Sequence, residues 1–126
     1  MPSLTNNITV HVVDDDTDVL TSLKFLLETE GFQVSTFRSG AELLNSTAAN
    51  EADCFVIDYK MSHMNGIDLA VHLRDRSTTT PVILITGDPD KSIIARAADA
   101  GIRHVLHKPH LEGSLVGLIA AAVAEG

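Results

Sequence analysis

Four polar motifs in this chain could do chemistry together: Asp14-Asp15-Asp16, Asp58, Thr86, and Lys108 followed by Pro109. Each directly follows a short apolar run, Val10–Val13, Phe55–Ile57, Val82–Ile85 and Val105–His107. Grouped carboxylates repel one another unless a cation sits among them, and oxygen ligands of this kind suit a hard cation, most naturally Mg²⁺. A hydroxyl and an ammonium beside them would hold an anion. The set therefore describes a site for a divalent cation and an anion together, provided that the fold gathers residues so far apart in sequence.

The elements needed for that gathering can be read from periodicity. Runs rich in β-branched residues predict strands at Ile8–Val13, Phe32–Phe37, Cys54–Ile57, Val82–Thr86 and, more weakly, His104–His107. The third and fourth are continuously apolar, as strands covered on both faces must be. Helical spacing alternates with them. It runs through Val19, Leu20, Leu23, Leu26 and Leu27 up to Gly31; Ala41, Leu43 and Leu44; Ile67, Ala70 and Leu73; Ile93, Ile94, Ala97 and Ala98 up to Gly101; and Leu115, Leu118, Ile119 and Ala122. Ser39 with Glu42 reads as a capping box opening the second helix. Strict β-α alternation predicts an α/β fold, a doubly wound five-stranded parallel sheet with five helices. Ligands of such sheets bind outside the carboxyl ends of the strands, which is where the polar motifs fall.

Composition narrows the function classes. With 126 residues, 44% of them hydrophobic, the chain suits one domain spanning 1–126 and has no room for a second. Cys54 is the only cysteine, which excludes an intrachain disulfide and suits a cytoplasmic setting. Nine Lys and Arg against seventeen Asp and Glu, with no basic cluster, argue against direct nucleic-acid or membrane binding. No stretch approaches the ~20 apolar residues of a membrane span, and the start lacks the pattern of a signal peptide.

Rival motifs fail on spacing. Asp14, Asp16 and Asp18 mimic the start of a calcium loop, but Val19 stands where glycine is required and Phe25 where the bidentate glutamate belongs. His104 and His107 would point to opposite faces of a strand, so the run His104, His107, His110 does not make a zinc site. No dinucleotide fingerprint, P-loop or nucleophile elbow is present. Each motif also has an ordinary reading: Asp14 to Asp18 could cap a helix, and Thr86-Gly87 or Lys108-Pro109 could simply end an element. Their joint occurrence at the ends of four of the five predicted strands is what those readings leave unexplained.

Val13-Asp14-Asp15, Asp58-Tyr59-Lys60-Met61 with Gly66, Ile85-Thr86-Gly87 and Lys108-Pro109, in this order along the whole chain, resemble the receiver domains of two-component response regulators, the FixJ-like group above all. The resemblance implies a flavodoxin-like strand order 2-1-3-4-5. It implies that Asp58 accepts a phosphoryl group from a histidine kinase or phosphotransfer protein. It further implies that Asp15, Asp58 and the Lys60 carbonyl ligate Mg²⁺, that Asp14 acts through a metal-bound water, and that Thr86 and Lys108 contact the phosphoryl group. Such a protein is a switch, not an enzyme in the ordinary sense, since it catalyses only its own phosphorylation and dephosphorylation. A small Mg²⁺-dependent phosphatase of haloacid dehalogenase type is the alternative, although there the nucleophile follows the first strand and Asp14-Asp15-Asp16-Thr17-Asp18 departs from that family's motif.

The chain also departs from the receiver pattern. Ser62 replaces the usual proline, so a more mobile loop is expected before Gly66. Lys60 and Asp88 occupy positions that in the family influence phosphoryl lifetime. Val105 replaces the usual aromatic switch residue, so a response is expected to travel through Gly87–Asp90, with His104 facing away from Val105. The resemblance implies a cis Lys108–Pro109 bond. Ile93, Ile94 and Ala97 are expected to face inward, and the last helix, apolar over more than one stripe, to expose its surplus to a partner or to a second copy on phosphorylation.

Overall fold

The computed structural model describes residues 8–46, 51–76, 78–108 and 112–125. Five strands, β1 (Thr9–Val13), β2 (Gln33–Phe37), β3 (Cys54–Asp58), β4 (Val82–Thr86) and β5 (His104–His107), alternate with five helices. These are α1 (Thr17–Thr29), α2 (Gly40–Leu44), α3 (Gly66–Asp75), α4 (Ser92–Asp99) and α5 (Glu112–Glu125). The sheet is parallel throughout, in the order β2-β1-β3-β4-β5. The strand order switches direction between β1 and β3, which opens a crevice at their carboxyl ends.

Strand alternation divides the core into two layers. Val13, Phe55, Ile57, Val82 and Leu84 face Leu43, Leu69, Leu73, Ile93 and Ala97 of α2, α3 and α4. Val10, Val12, Cys54, Val56, Ile83 and Ile85 face Leu20, Leu23 and Leu27 of α1 and Leu115 and Ile119 of α5. Every residue of β3 and β4 is buried, which explains their continuously apolar sequences.

The glycine stops are structural. After α1, Gly31 takes φ 97 and donates to Glu28 while Phe32 donates to Leu27; after α4, Gly101 takes φ 83, donating to Ala98 while Ile102 donates to Ala97. Both are Schellman closures, in which a left-handed residue lets the last carbonyls be satisfied. At the amino end of the sheet, Arg74 of α3 spans two loops. Its Nη1 donates to the carbonyls of Thr78 and Thr80 and its Nη2 to that of Gly101.

Two expectations about helix faces need correction. Ile93 and Ala97 are buried, but Ile94 is 47% exposed. On α5 the large surplus side chains Val116, Leu118 and Val123 pack partly buried against the core, and what the helix exposes is small: Gly117, Ala120, Ala121 and Ala124. Among the described residues the exposed large apolar ones are Phe25, Val71 and Ile94.

Candidate acidic site at the carboxyl edge

Register places the site. Val13 pairs with Ile57, so Asp14 and Asp58 are next-door neighbours at adjacent strand ends. Asp58 pairs with Ile85 and Thr86 with His107, which brings Thr86 and Lys108 one step further along the same edge. Asp14, Asp15 and Asp58 each present a carboxylate oxygen within 4.8 Å of the others, the one such cluster of His, Cys, Asp or Glu among the described residues. Lys108 Nζ stands 3.3 Å from Asp58 Oδ1.

Each group is held by local backbone. Asp14 donates its amide to Phe37, and its Oδ1 accepts from the Asp16 amide at 2.9 Å. Asp15 is exposed, and its Oδ2 accepts from the Ser62 amide at 3.2 Å and lies 3.4 Å from the Ser62 hydroxyl. The amide of Tyr59 donates to Ile85, and its carbonyl accepts from Gly66 at 2.8 Å, closing the loop after Asp58. Gly66 is required there, since a Cβ would lie 2.6 Å from both the Asp58 carbonyl and Leu84 Cδ1. Lys60 follows in the bend with an exposed side chain.

Burial and mutual repulsion both act against ionised carboxylates at this site. Burial pushes the Asp14 carboxyl up to about 6, its neighbours Asp58 and Asp15 adding to the shift while the Asp16 amide and Lys108 oppose it. Burial likewise raises Asp58, with Lys108 as the main opposing influence. Among the described residues, buried polar side chains are confined to His11, Asp14, Asp58 and Thr86, so three of the four lie at this edge. A hard cation fits this donor set, because it would offset the repulsion that burial intensifies.

Thr86 is buried, and its hydroxyl accepts from the Asp88 amide at 3.0 Å. Asp88 Oδ1 in turn accepts from Asp90 N, and Asp90 Oδ1 from Ser92 N, both at 2.9 Å. A continuous run of short side-chain-to-backbone bonds thus leads from Thr86 to the first residue of α4, a helix whose N-cap residue, Lys91, makes no side-chain cap. The Asp90 carboxyl is held below its usual range by the Ser92 amide and hydroxyl. A second link was not anticipated from sequence: Arg96 of α4 donates to the Tyr59 hydroxyl at 3.0 Å and lies over its ring. Val105 packs against the layer containing α4 while His104 bonds Glu125 of α5 at 2.9 Å, so the two do face opposite sides.

The helix-cap reading of the acidic run is also correct, but for Asp16 rather than for the clustered Asp14 and Asp15. Asp16 is the N-cap of α1, accepting from Asp18 and Val19. Ser39 caps α2 as expected, with Glu42 reaching back one residue further, to the Arg38 amide. Pro109 and His110 lie outside the described residues, and with them the expected cis bond.

Fold and site together define a doubly wound α/β protein with a cation-ready acidic cluster at the switch point of its sheet. The chain belongs to the response regulator receiver domain family, whose model matches residues 10–120. It is 32% identical to the response regulator protein TodT of Pseudomonas putida over 114 residues, 90% of this chain and 50% of that protein. It is 32% identical to the transcriptional regulatory protein FixJ of Azorhizobium caulinodans over 117 residues, 93% of this chain and 56% of that one. The chain thus spans about half the length of these relatives. Among solved structures it resembles FixJ-N, with TM-score 0.81 and 31% identity over 99% of this chain and 96% of that one. It also resembles a response regulator receiver domain protein of Clostridium thermocellum, with TM-score 0.86 and 28% identity over 94% and 95%. The family gives the phosphatase alternative no support. Among the described residues no helix is long and apolar enough to cross a membrane.

Proposed function

We propose that this chain, as a single receiver domain over residues 1–126, accepts a phosphoryl group on Asp58 from the phosphohistidine of a histidine kinase or phosphotransfer protein. The observation carrying this reading is the Asp58–Lys108 contact within a cluster of three carboxylates at the switch point, two of them buried and that of Asp15 exposed. A carboxylate oxygen of Asp58 attacks phosphorus in line, the phosphorus–nitrogen bond breaks, and its electron pair returns to the imidazole, which then takes up a proton. Lys108 opposes the desolvation that raises Asp58, and stays beside the phosphoryl oxygens as charge accumulates on them. Thr86 supplies a hydroxyl to one of those oxygens. Bound by Asp14, Asp15, Asp58 and the Lys60 carbonyl, Mg²⁺ would neutralise charge on the transferring group.

As a signalling module the domain turns over no external substrate. Its output is an altered surface, and the Thr86–Asp88–Asp90–Ser92 run supports α4 as the place where it changes, with Val105 a bystander. That surface would then meet a partner or a second copy of the chain, in a cytoplasmic setting and without direct nucleic-acid contact by this domain. The test is phosphorylation with acetyl phosphate: one hydroxylamine-labile phosphoryl group per chain, dependent on Mg²⁺, absent in Asp58→Asn and strongly reduced in Asp15→Ala. Labelling of Asp58→Asn at the wild-type level would refute the assignment.

A further inference from the structure

Each of the three clustered carboxylates has one oxygen engaged by the protein. Asp14 Oδ1 takes the Asp16 amide and Asp58 Oδ1 the Lys108 ammonium, and both side chains are buried. Asp15 differs in being exposed, where a side chain ordinarily keeps its rotamer freedom. Its Oδ2 is nonetheless met by two donors of one residue from a loop 47 positions away, the amide and the hydroxyl of Ser62.

We propose that Ser62 is a positioning residue for Asp15, holding one oxygen of that carboxylate so that it is presented to the cation in a fixed orientation. The proposal rests on reading the cluster as a Mg²⁺ site. Partners behind a metal's ligands orient them and contribute measurably to affinity. The substitution that sequence comparison marks as a loosening is, on this geometry, a replacement: proline has neither an N–H nor a hydroxyl and could make neither bond.

The loop is built to hold Ser62 in place. Met64 donates its amide to the Ser62 carbonyl at 2.8 Å, closing a three-residue turn over His63. His63 has φ 69, the only non-glycine positive φ among the described residues. Closures of this kind with positive φ are rare and strained, and such strain persists only where surrounding structure over-determines it. The other side of the loop is tied by Gly66 N to the Tyr59 carbonyl, and α3 begins at once under a capping box between Asn65 and Asp68. Ser62 therefore reaches Asp15 from a turn fixed at both ends.

The experiment is a Mg²⁺ titration followed by amide chemical shifts on wild type, Ser62→Ala, Ser62→Pro and Ser62→Thr, with Asp15→Ala as reference and urea unfolding to confirm that each variant folds. Ser62→Thr, keeping both donors, should bind Mg²⁺ within about twofold of wild type. Ser62→Ala, keeping the amide alone, should bind about threefold more weakly, and Ser62→Pro, with neither, about tenfold more weakly, the lower end of the usual range for such partners because both bonds are long and exposed. In metal-free protein Asp15→Asn should move the Ser62 amide resonance upfield. Affinities of Ser62→Ala and Ser62→Pro equal to or tighter than wild type would overturn the proposal while leaving the Mg²⁺ site intact. Wild-type shifts that do not depend on Asp15 would instead overturn the Mg²⁺ reading, and the proposal with it.

Discussion

Asp14 and His11 lie within four residues of each other on and just beyond the same central strand, and both are almost completely buried. Their surroundings could hardly differ more. Asp14 sits among charged and hydrogen-bonding groups, with the Asp16 amide on one oxygen and Lys108 nearby. His11 sits between the rings of Phe37 and Phe55, at 5.2 and 5.9 Å, and its Nδ1 has no hydrogen-bond partner. Burial pushes the Asp14 carboxyl up and the His11 imidazole down, so both favour their neutral forms, but the consequences for folding have opposite sign. The folded chain keeps the Asp14 proton to about pH 6 whereas the unfolded chain releases it near 3.8, so this stabilisation is complete at low pH and lost as pH rises through 6. For His11 the unfolded chain takes up a proton first as pH falls below 6.5, so stability present above that value is lost on acidification. The contrast separates a buried carboxyl whose ionisation a nearby cation would favour from a buried imidazole whose ionisation it would oppose.

Asp14→Asn should give the largest effect. With EDTA present it removes a carboxylate that is costly to ionise, and about two pKa units correspond to a stability gain on the order of 3 kcal/mol at pH 7.5, shrinking towards pH 4, by urea unfolding. An unchanged stability at both pH values would erase the comparison. Gly66→Ala tests whether packing beneath the polar edge is as tight as its electrostatics suggest. The added methyl group should cost about 1–3 kcal/mol, because the opposing Asp58 carbonyl is backbone and cannot step aside. Asp16→Ala separates capping from ligation within the acidic run: about 1 kcal/mol of stability should go with the cap, with Mg²⁺ affinity unchanged. His11→Phe should have the least effect near pH 8, well above the 6.5 at which the unfolded imidazole takes up its proton. Its advantage over wild type should grow as pH falls from 7 to 5, and a pH-independent difference would mean that His11 is not held neutral by its burial.

What could be read from sequence follows from what each signal depends on. Strands β3 and β4 were legible because burial on both faces leaves them apolar up to their last residues, and the site motifs because parallel strands deliver their ends to one edge whatever the exact register. Ile94 was misplaced because a short helix with apolar residues at 93, 94, 97 and 98 has two adjacent stripes, and periodicity cannot say which meets the sheet. Apolar residues around much of α5 gave the same ambiguity. The Asn65–Asp68 box was overlooked although its spacing is regular, since aspartate is not the usual partner at that position. The Ser62–Asp15 and Arg96–Tyr59 contacts join residues 47 and 37 apart, and nothing local encodes them.

Arg74 gives α4 a mechanical character. By gripping the carbonyls of Thr78, Thr80 and Gly101, it clamps the carboxyl end of that helix to the floor of the domain, while the opposite end begins without a side-chain cap on a string of aspartates leading from Thr86. The helix is thus tied at its carboxyl end by a guanidinium and at its amino end by a relay of short hydrogen bonds. A displacement of the segment after β4 would therefore be applied at the end of α4 farthest from Gly101, where it turns the helix about that anchor with the longest available arm.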